Sequence, residues 1–319
     1  MARAKKKRRW SQLLRAQLPL PGALLAVWAL GLLEPWLYLG ALVRELGFHL
    51  ALLALAGVVF ALVRRYFVAA AALAGVAVLF ALPLWPFYRA TKPTPQSGPL
   101  LRVASLHLNG AELSSDTLAA WLARERPDAV ALTGLRSDLG QASFDTYRVA
   151  RSSDLRALLL VQAALAVPQR ETLRGHASML VRAGRCQARV VTLELPAIAA
   201  YAELDVRARM IDAARRLHSA PRSVWLGQLG SRAEAHDLQA FFADHQLRDA
   251  RLGHGRLATA PASLGPLGFP LSSALVHGWI SVRELNVMPP IVDGAHGSLT
   301  AVLELTEPRC RFSRDVPPE

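Results

Sequence analysis

The sequence predicts a membrane-anchored protein in which a helical N-terminal region precedes one domain of mixed α/β (α+β) class. Two features support this fold class. Residues 18–88 are mostly apolar, and their charged residues are Glu34, Arg44, Glu45, Arg64 and Arg65, too few for a water-soluble segment of that length. From residue 100 onward, short apolar runs alternate with helical patterns, as in domains whose strands and helices share one core.

These features divide the chain into five segments. We predict a basic cytoplasmic tail at 1–17, a three-span transmembrane region at 18–88, a Pro-rich tether at 89–99, a folded domain at 100–306 and a C-terminal tail at 307–319. The spans are expected at 18–39, 48–63 and 66–88. A cleaved signal peptide is disfavoured, because the first apolar run is followed by two more.

Basic residues predict the orientation of these spans. The tail and the Arg64-Arg65 turn are separated by two crossings and therefore lie on the same side, which the positive-inside rule makes the cytoplasm. An odd number of spans then places everything after Tyr88 on the outer, periplasmic side. The expected localisation is the cell membrane, with several passes and an extracytoplasmic C-terminal domain.

The formal charge of +13 is concentrated near the N-terminus. Residues 1–15 contribute +7 and residues 16–98 contribute +3, which leaves +3 for residues 99–319. A domain this close to neutral lacks the basic stripe of a protein that grips many phosphates. We therefore expect a lipid bilayer, and no nucleic acid, among the partners; the basic tail either contacts anionic headgroups or serves only to orient the spans.

Within the domain, apolar periodicity predicts the elements in order. Strands are expected at 101–108, 129–132, 156–162, 187–195, from 223, at 275–282 and at 299–305. Helices are expected around 118–122, at 202–218 and around 238–242. Each strand is a short apolar run, and each helix carries apolar residues three or four positions apart.

The stretch Ser223-Val-Trp-Leu-Gly-Gln-Leu-Gly-Ser231 combines a buried strand with a tight polar corner. Ser231 and Glu234 match the S-x-x-E capping box that opens a helix, and that helix is expected to close on Leu247-Arg248-Asp249-Ala250. With the PDAVAL strand, a late strand ending near His277 and a histidine before the last strand, this ordered set resembles the endonuclease/exonuclease/phosphatase family. The three-span N-terminus resembles the membrane-anchored branch of that family. The resemblance covers residues 100–306.

The resemblance implies a four-layer α/β sandwich with an active site at the strand ends between two sheets. Members of the family hydrolyse phosphodiesters or phosphomonoesters with a divalent metal, usually Mg²⁺, and this hard cation requires oxygen ligands. Most of the family's functional positions are replaced in this chain. The cleft positions are His107 for Asn, Gly134 for Glu, Glu194 for His, Gln228 for Asp, Gly230 for Asn, Val276 for Asp and Ala295 for Asp.

One functional position of the family is retained with its chemistry intact. His296 stands where the resemblance implies the catalytic base, next to Ala295 in place of the orienting carboxylate. An alternative metal set consists of His107, Glu194 and His296, since two imidazoles and a carboxylate suit Zn²⁺ better than Mg²⁺. The two cysteines, Cys186 and Cys310, either form a disulfide or remain free thiols.

The interpretation that accounts for most of these replacements is a catalytically degenerate protein, a pseudoenzyme that keeps a hydrolase-like fold and acts as a binding or structural module without a cofactor. The competing interpretation is an active metal-dependent phosphoesterase with a relocated Mg²⁺ or Zn²⁺ site. The sequence does not name the small ligand or protein partner.

Overall fold

A computed structural model of the protein describes residues 18–34, 38–89, 98–136, 139, 144, 146–173, 175–197, 201–215, 222–231, 235–277 and 279–305. The basic tail at 1–17, most of the tether at 89–99 and the C-terminal tail at 307–319 lie outside these residues. The chain divides into two compact units, Met1–Pro86 and Phe87–Glu319.

The N-terminal unit is helical. Its helices are α1 (Pro19–Gly31), α2 (Tyr38–Glu45), α3 (Gly47–Val63) and α4 (Phe67–Ala81). A 3₁₀ turn at Leu82–Leu84 and the short α5 (Trp85–Tyr88) continue α4.

One helix among the described residues, Phe67–Tyr88, is long and apolar enough to cross a membrane. The helices α2 and α3 meet at a 62° bend, and together they would form a second span if they cross the membrane as one bent helix. The apolar helix α1 is shorter than a membrane-spanning helix. The prediction of three transmembrane helices is therefore not confirmed. The stretch predicted as the first span is interrupted after Gly31, before Pro35, which removes a backbone donor and disfavours helix at the residue before it.

The second unit contains twelve described strands and three longer helices. The strands of the first half are β1 (Leu100–His107), β2 (Ala129–Thr133), β3 (Tyr147–Arg151), β4 (Leu158–Gln162), β5 (Ala166–Leu173) and β6 (His176–Ala183). Those of the second half are β7 (Cys186–Glu194), β8 (Ser223–Gln228), β9 (Leu247–Asp249), β10 (Ser272–His277), β11 (Ile280–Met288) and β12 (Ser298–Leu305). The helices are α6 (Ser115–Glu125), α7 (Leu204–Arg215) and α8 (His236–Asp244).

The strands form two six-stranded sheets. The first has the order β11-β12-β1-β2-β4-β3 and the second the order β5-β6-β7-β8-β10-β9. The pairs β1–β2 and β7–β8 are parallel, and the other ladders are antiparallel. Each parallel pair is central in its sheet, so its strands end at one edge, where binding sites of α/β sheets form.

Three apolar clusters produce four layers. The largest lies between the sheets and contains Val103, Val190 and Val224. A second joins the outer face of one sheet to α7 and α8, and a third joins the outer face of the other sheet to α6. The order of layers is therefore helix, sheet, sheet, helices, as the sequence predicts.

Two local predictions were wrong. The segment predicted as one strand at 275–282 contains the end of β10 and the start of β11. These strands belong to different sheets and lie on either side of a turn at position 279. Leu247–Asp249 does not close a helix but pairs with β10 as an edge strand. The described α8 begins after Ala235, which makes no side-chain cap bond, whereas the predicted capping box includes Glu234, which lies outside the described residues.

Candidate functional site

The strand period of two brings three predicted cleft residues to the inner faces of the sheets. Along β1, Leu101 and Val103 enter the core between the sheets, so His107 has the same orientation at the strand end. The same alternation directs Glu194 on β7 and Gln228 on β8 inward. These three side chains line one cavity of about 330 Å³.

The retained histidine lies beside this cavity. His296 packs its ring against that of His107, with ring centroids 4.5 Å apart, and its backbone N–H donates to the carbonyl of His107 at 3.0 Å. It lines a second cavity of about 420 Å³ that also contains Asp293 and Ala295. Within the described part of the chain, Nδ1 of His296 has no hydrogen-bond partner, so no described carboxylate orients the ring through that nitrogen.

Both imidazoles are held neutral. Burial, with a smaller contribution from the charge of the neighbouring His296, lowers the pKa of His107 to about 3. Burial also lowers the pKa of His296 to about 4. The Nδ1 of His107 shares a hydrogen bond of 3.0 Å with Oγ1 of Thr133. A base with a pKa this low is mismatched to proton abstraction near neutral pH.

These buried histidines should make stability depend on pH. Between about pH 6.5 and pH 4 the unfolded chain binds protons that the folded chain excludes, so the free energy of unfolding should fall as the pH is lowered through this window and be fully restored above it. Each histidine contributes up to about 1.4 kcal/mol per pH unit. Denaturant unfolding in detergent, compared between the wild type and His296→Gln, should give a shallower pH slope for the variant. Equal slopes would contradict the assignment.

Glu194 forms a bridge between the two sheets. Its Oε2 accepts a hydrogen bond of 2.8 Å from the backbone N–H of Gly134, which follows β2 in the opposite sheet. Burial raises the pKa of Glu194, whereas the Gly134 N–H and the charge of Arg156 lower it and Asp154 raises it again. The carboxylate therefore satisfies a backbone donor where the family resemblance implies a metal ligand.

Asp154, which the sequence analysis did not select, makes the corresponding bridge on the other side of the cavity. Its Oδ1 accepts from the N–H of Gly175 in the other sheet at 3.1 Å and from the hydroxyl of Ser152 at 2.7 Å. Burial alone would raise the pKa of Asp154, but these bonds, with that from the Arg156 N–H, hold it below its usual value. Two carboxylates thus cross-link the sheets at the mouth of the cleft.

The two glycines at ligand positions have no room for a side chain. A Cβ on Gly134 would lie 2.6 Å from Cε1 of His107 and 2.9 Å from the backbone nitrogen of Asn109, at φ +71°. A Cβ on Gly230 would collide with the carbonyl oxygen of Pro196 and lie 2.7 Å from Cα of Ala197, at φ +65°. The loops that follow β7 and β8 therefore touch where the family resemblance implies polar side chains.

A buried guanidinium holds those two loops together. Arg207 on α7 is 1% exposed. It donates to the carbonyls of Pro196, at 2.7 Å, and of Leu229, to the hydroxyl of Ser231 at 2.7 Å, and to Asp237 on α8 at 2.6 Å. Ser231 thus accepts from an arginine. An arginine in the middle of an amphipathic helix gives no sign in sequence that it is buried.

Val276 and Ala295, two other predicted cleft residues, do not line the cavity that contains His107, Glu194 and Gln228. Val276 belongs to the core between the sheets and pairs with Val224 at the far end of β8, whereas Ser272 pairs with Gln228. The prediction that Val276 lines the cleft was wrong, because β10 runs antiparallel to β8 and begins at the cleft. Ala295 packs in the cluster under α6, so a carboxylate there would be placed among apolar side chains.

The donor set does not fit the metal that the fold implies. Among the described residues, no group of three or more His, Cys, Asp or Glu side chains is arranged to hold a metal ion. His107, Glu194 and His296 are thus near one another without forming a ligand set. Gly134 and Gly230 supply no oxygen ligand from a side chain, and one oxygen of Glu194 is already bonded to the backbone.

The architecture defines the class of protein: a two-sheet α/β sandwich with a cleft at the carboxyl ends of its central strands. No family model matches the sequence, and no curated protein sequence matches it. Solved structures do. D. rerio TDP2 humanised by 14 mutations has a TM-score of 0.51 at 13% identity, over 64% of this chain and 99% of that one. The endonuclease domain of TRAS1, a telomere-specific non-LTR retrotransposon, has a TM-score of 0.50 at 15% identity, over 66% and 100%.

An endonuclease/exonuclease/phosphatase from Beutenbergia cavernae also matches, with a TM-score of 0.46 at 15% identity, over 65% of this chain and 72% of that one. The chain has the endonuclease/exonuclease/phosphatase fold, as the ordered motifs predicted. At these identities the likeness concerns the fold, and the activity has to be argued from the site.

Proposed function

We propose that this protein is anchored in a membrane and uses an endonuclease/exonuclease/phosphatase fold as a binding or structural module, without metal-dependent phosphoester hydrolysis. The observation that carries the proposal is the bond from Gly134 N–H to Glu194. It joins the position of the missing metal-binding Glu to the carboxylate that replaces a phosphate-contacting His. The two replacements complement each other, which supports a cleft adapted to a role other than phosphoryl transfer.

Charge at the cleft supports the same proposal. Three carboxylates, those of Asp154, Glu194 and Glu203, line the cavity together with the single guanidinium of Arg156. This arrangement repels a phosphate group. TRAS1 is named as an endonuclease, but the near-neutral domain and acidic cleft of this chain favour neither nucleic acid nor a phosphate ester as its ligand.

A metal titration tests the proposal. Full-length protein in detergent, titrated with MgCl₂ and with ZnCl₂ in a calorimeter, should give no saturable binding heat in the micromolar to low millimolar range. Gln228→Asp provides the comparison, because it adds a carboxylate to the existing cavity without requiring new space at a glycine. Saturable binding to the wild type that is lost in Glu194→Gln would support the competing interpretation, a phosphoesterase with a relocated metal site.

Membrane topology is the second part of the proposal. Arg64 and Arg65 immediately precede the apolar helix Phe67–Tyr88, so the positive-inside rule favours a cytoplasmic start for this helix and an extracytoplasmic domain. The basic tail at 1–17 shares the cytoplasmic side with Arg64 and Arg65 when the chain between them crosses the membrane an even number of times. Cys186 is disulfide-bonded, and disulfides persist mainly in oxidising compartments. A multi-pass anchor with a periplasmic domain agrees with both observations.

A fusion experiment tests this orientation. A reporter that is active only in the cytoplasm, fused after Glu319, should give no signal, and one that is active only outside should give a strong signal. Exchanging both Arg64 and Arg65 for Glu should reduce the difference between the two reporter signals, because it reverses the charge that keeps the start of this helix in the cytoplasm. A strong cytoplasmic signal from the wild-type fusion would show that the proposed topology is wrong.

A further inference from the structure

The cavity between the sheets offers hydrogen-bond acceptors in excess of donors. Four side chains with oxygen atoms line it, and we call them the oxygen set: Asp154, Glu194, Glu203 and Gln228. Arg156 is the one cationic side chain among the lining residues, and Leu195, Pro196, Val206 and Met210 supply an apolar wall. A pocket of about 330 Å³ is within the ordinary range for small-molecule sites.

Gln228 is the member of the set that indicates a ligand. Gln228 is 8% exposed, it lines the cavity, and its Oε1 has no hydrogen-bond partner among the described residues. A buried amide oxygen without a partner costs about 1–3 kcal/mol, and buried polar groups are satisfied in the great majority of cases. A ligand with an N–H or O–H donor at this position would supply the bond.

His107 adds a fifth acceptor. The hydroxyl of Thr133 lies 3.5 Å from the carbonyl oxygen of Leu106, to which it donates, so its oxygen accepts from Nδ1–H of His107. That tautomer leaves the lone pair on Nε2, the ring's other nitrogen. A neutral imidazole with this tautomer accepts a hydrogen bond from a ligand and does not attract an anion.

The arrangement of the carboxylates bears on the kind of cation that the cavity can hold. No described group of three or more acidic or imidazole side chains is arranged around one point that a metal ion could occupy. Glu194 and Asp154 are each anchored by a backbone N–H of the opposite sheet, which fixes their separation. A cation with several N–H donors can contact more than one member of the oxygen set without requiring ligands around a single point.

We propose that this cavity binds a small organic cation of the amine class, such as a linear polyamine, with its N–H donors directed at the oxygen set and its methylene groups against the apolar wall. The inference rests on the proposed function, because it names the ligand class of a cleft that no longer holds a phosphate ester. Attraction between the ammonium groups and the carboxylates supplies the selectivity over anions.

Calorimetric titration tests the inference on the full-length protein in phosphatidylcholine nanodiscs, with spermidine as the probe. We expect saturable binding at one site, weakened by added salt, and no binding of inorganic phosphate. Gln228→Met should weaken spermidine binding about tenfold, since it removes a hydrogen bond to a charged donor. Glu203→Gln should weaken it about two- to fivefold, as for an exposed ion pair.

The control is Asp205→Asn, which removes the same charge two residues along the chain from Glu203, at a side chain that does not line the cavity; it should leave the affinity unchanged. Absence of saturable spermidine binding, equal effects of Glu203→Gln and Asp205→Asn, or tighter binding of Ca²⁺ than of spermidine would each overturn the inference. A phosphoesterase assay on the same samples separates the two proposals: turnover would contradict the proposed function, while spermidine binding is scored independently.

Discussion

Full-length protein supplied with Mg²⁺ or Mn²⁺ is expected to leave an aryl phosphate, a nucleotide diester and an inositol phosphate unhydrolysed at enzymic rates. Electrostatic stabilisation of the phosphoryl group is usually the largest catalytic contribution, and removing one such group commonly costs about 10²- to 10³-fold. Several are replaced here, although effects within one site are not additive. Steady-state release of phosphate or of a chromogenic alcohol measures the outcome.

The surroundings of His296 also argue against hydrolysis. His296 stands where the family resemblance implies the base, but burial lowers its pKa to about 4 and its Nδ1 has no hydrogen-bond partner among the residues that the structure describes. General acid–base catalysis contributes about 10²- to 10⁴-fold when the pKa is near the working pH, so a base with a pKa this low should contribute at the lower end. Metal-stimulated turnover that disappears in His296→Ala would refute the expectation and support the phosphoesterase interpretation.

Replacing a cleft glycine with the side chain that the family resemblance implies should destabilise the protein. Gly230→Asn puts a Cβ against the carbonyl of Pro196, so it should lower the melting temperature by several degrees, at about 2–4 °C per kcal/mol. Gly184→Asn is the matched control, because Gly184 also has a left-handed backbone, at φ +57°, with the nearest side-chain atom 3.5 Å away. If both variants melt alike, the loops after β7 and β8 have more freedom than the structure indicates.

Replacing Arg207 by Leu is expected to lower the free energy of unfolding by about 3–5 kcal/mol. The change leaves the carbonyls of Pro196 and Leu229 and the hydroxyl of Ser231 without their donor, and unsatisfied buried polar groups are costly. It also removes the partner of Asp237. The loops on either side of the cleft should then separate, which hydrogen exchange of the segments at 195–197 and 229–231 would detect.

The same helix provides the control. Arg215 also pairs with a carboxylate of α8, Asp244, at 2.6 Å, but both side chains are at least 40% exposed. Arg215→Leu should cost less than about 1 kcal/mol, as exposed pairs usually do. Comparable losses for Arg207→Leu and Arg215→Leu, measured by denaturant unfolding, would mean that Arg207 does not hold the cleft loops together.

Much of the fold could be predicted from local patterns. Alternation along 101–108 and 187–195 identified the central strands, and the stripe at Leu118, Trp121 and Leu122 identified α6, which buries those residues. The period of two also assigned His107 and Glu194 to the same kind of position at two strand ends. These are properties of neighbouring residues, so the sequence contains them directly.

The errors arose where tertiary pairing overrides local pattern. Leu247–Asp249 forms a strand because it pairs with β10 at the edge of the sheet, although its sequence resembles the end of a helix. Val276 lies far from the cleft because β10 runs antiparallel to β8, a direction that its residues do not encode. The number of membrane spans likewise depends on whether α2 and α3, bent by 62°, act together.

By itself, the sequence determined which chemical groups the protein has: an apolar N-terminal region, a chain of strands and helices in one order, and residues that differ from most of those implied by the family resemblance. Only the tertiary structure decided what the remaining groups do. Glu194 meets Gly134, and His107 meets His296, across long separations in the chain. The role of a carboxylate or an imidazole depends on its partner and its exposure. Both are determined by the tertiary packing that brings particular strand ends together.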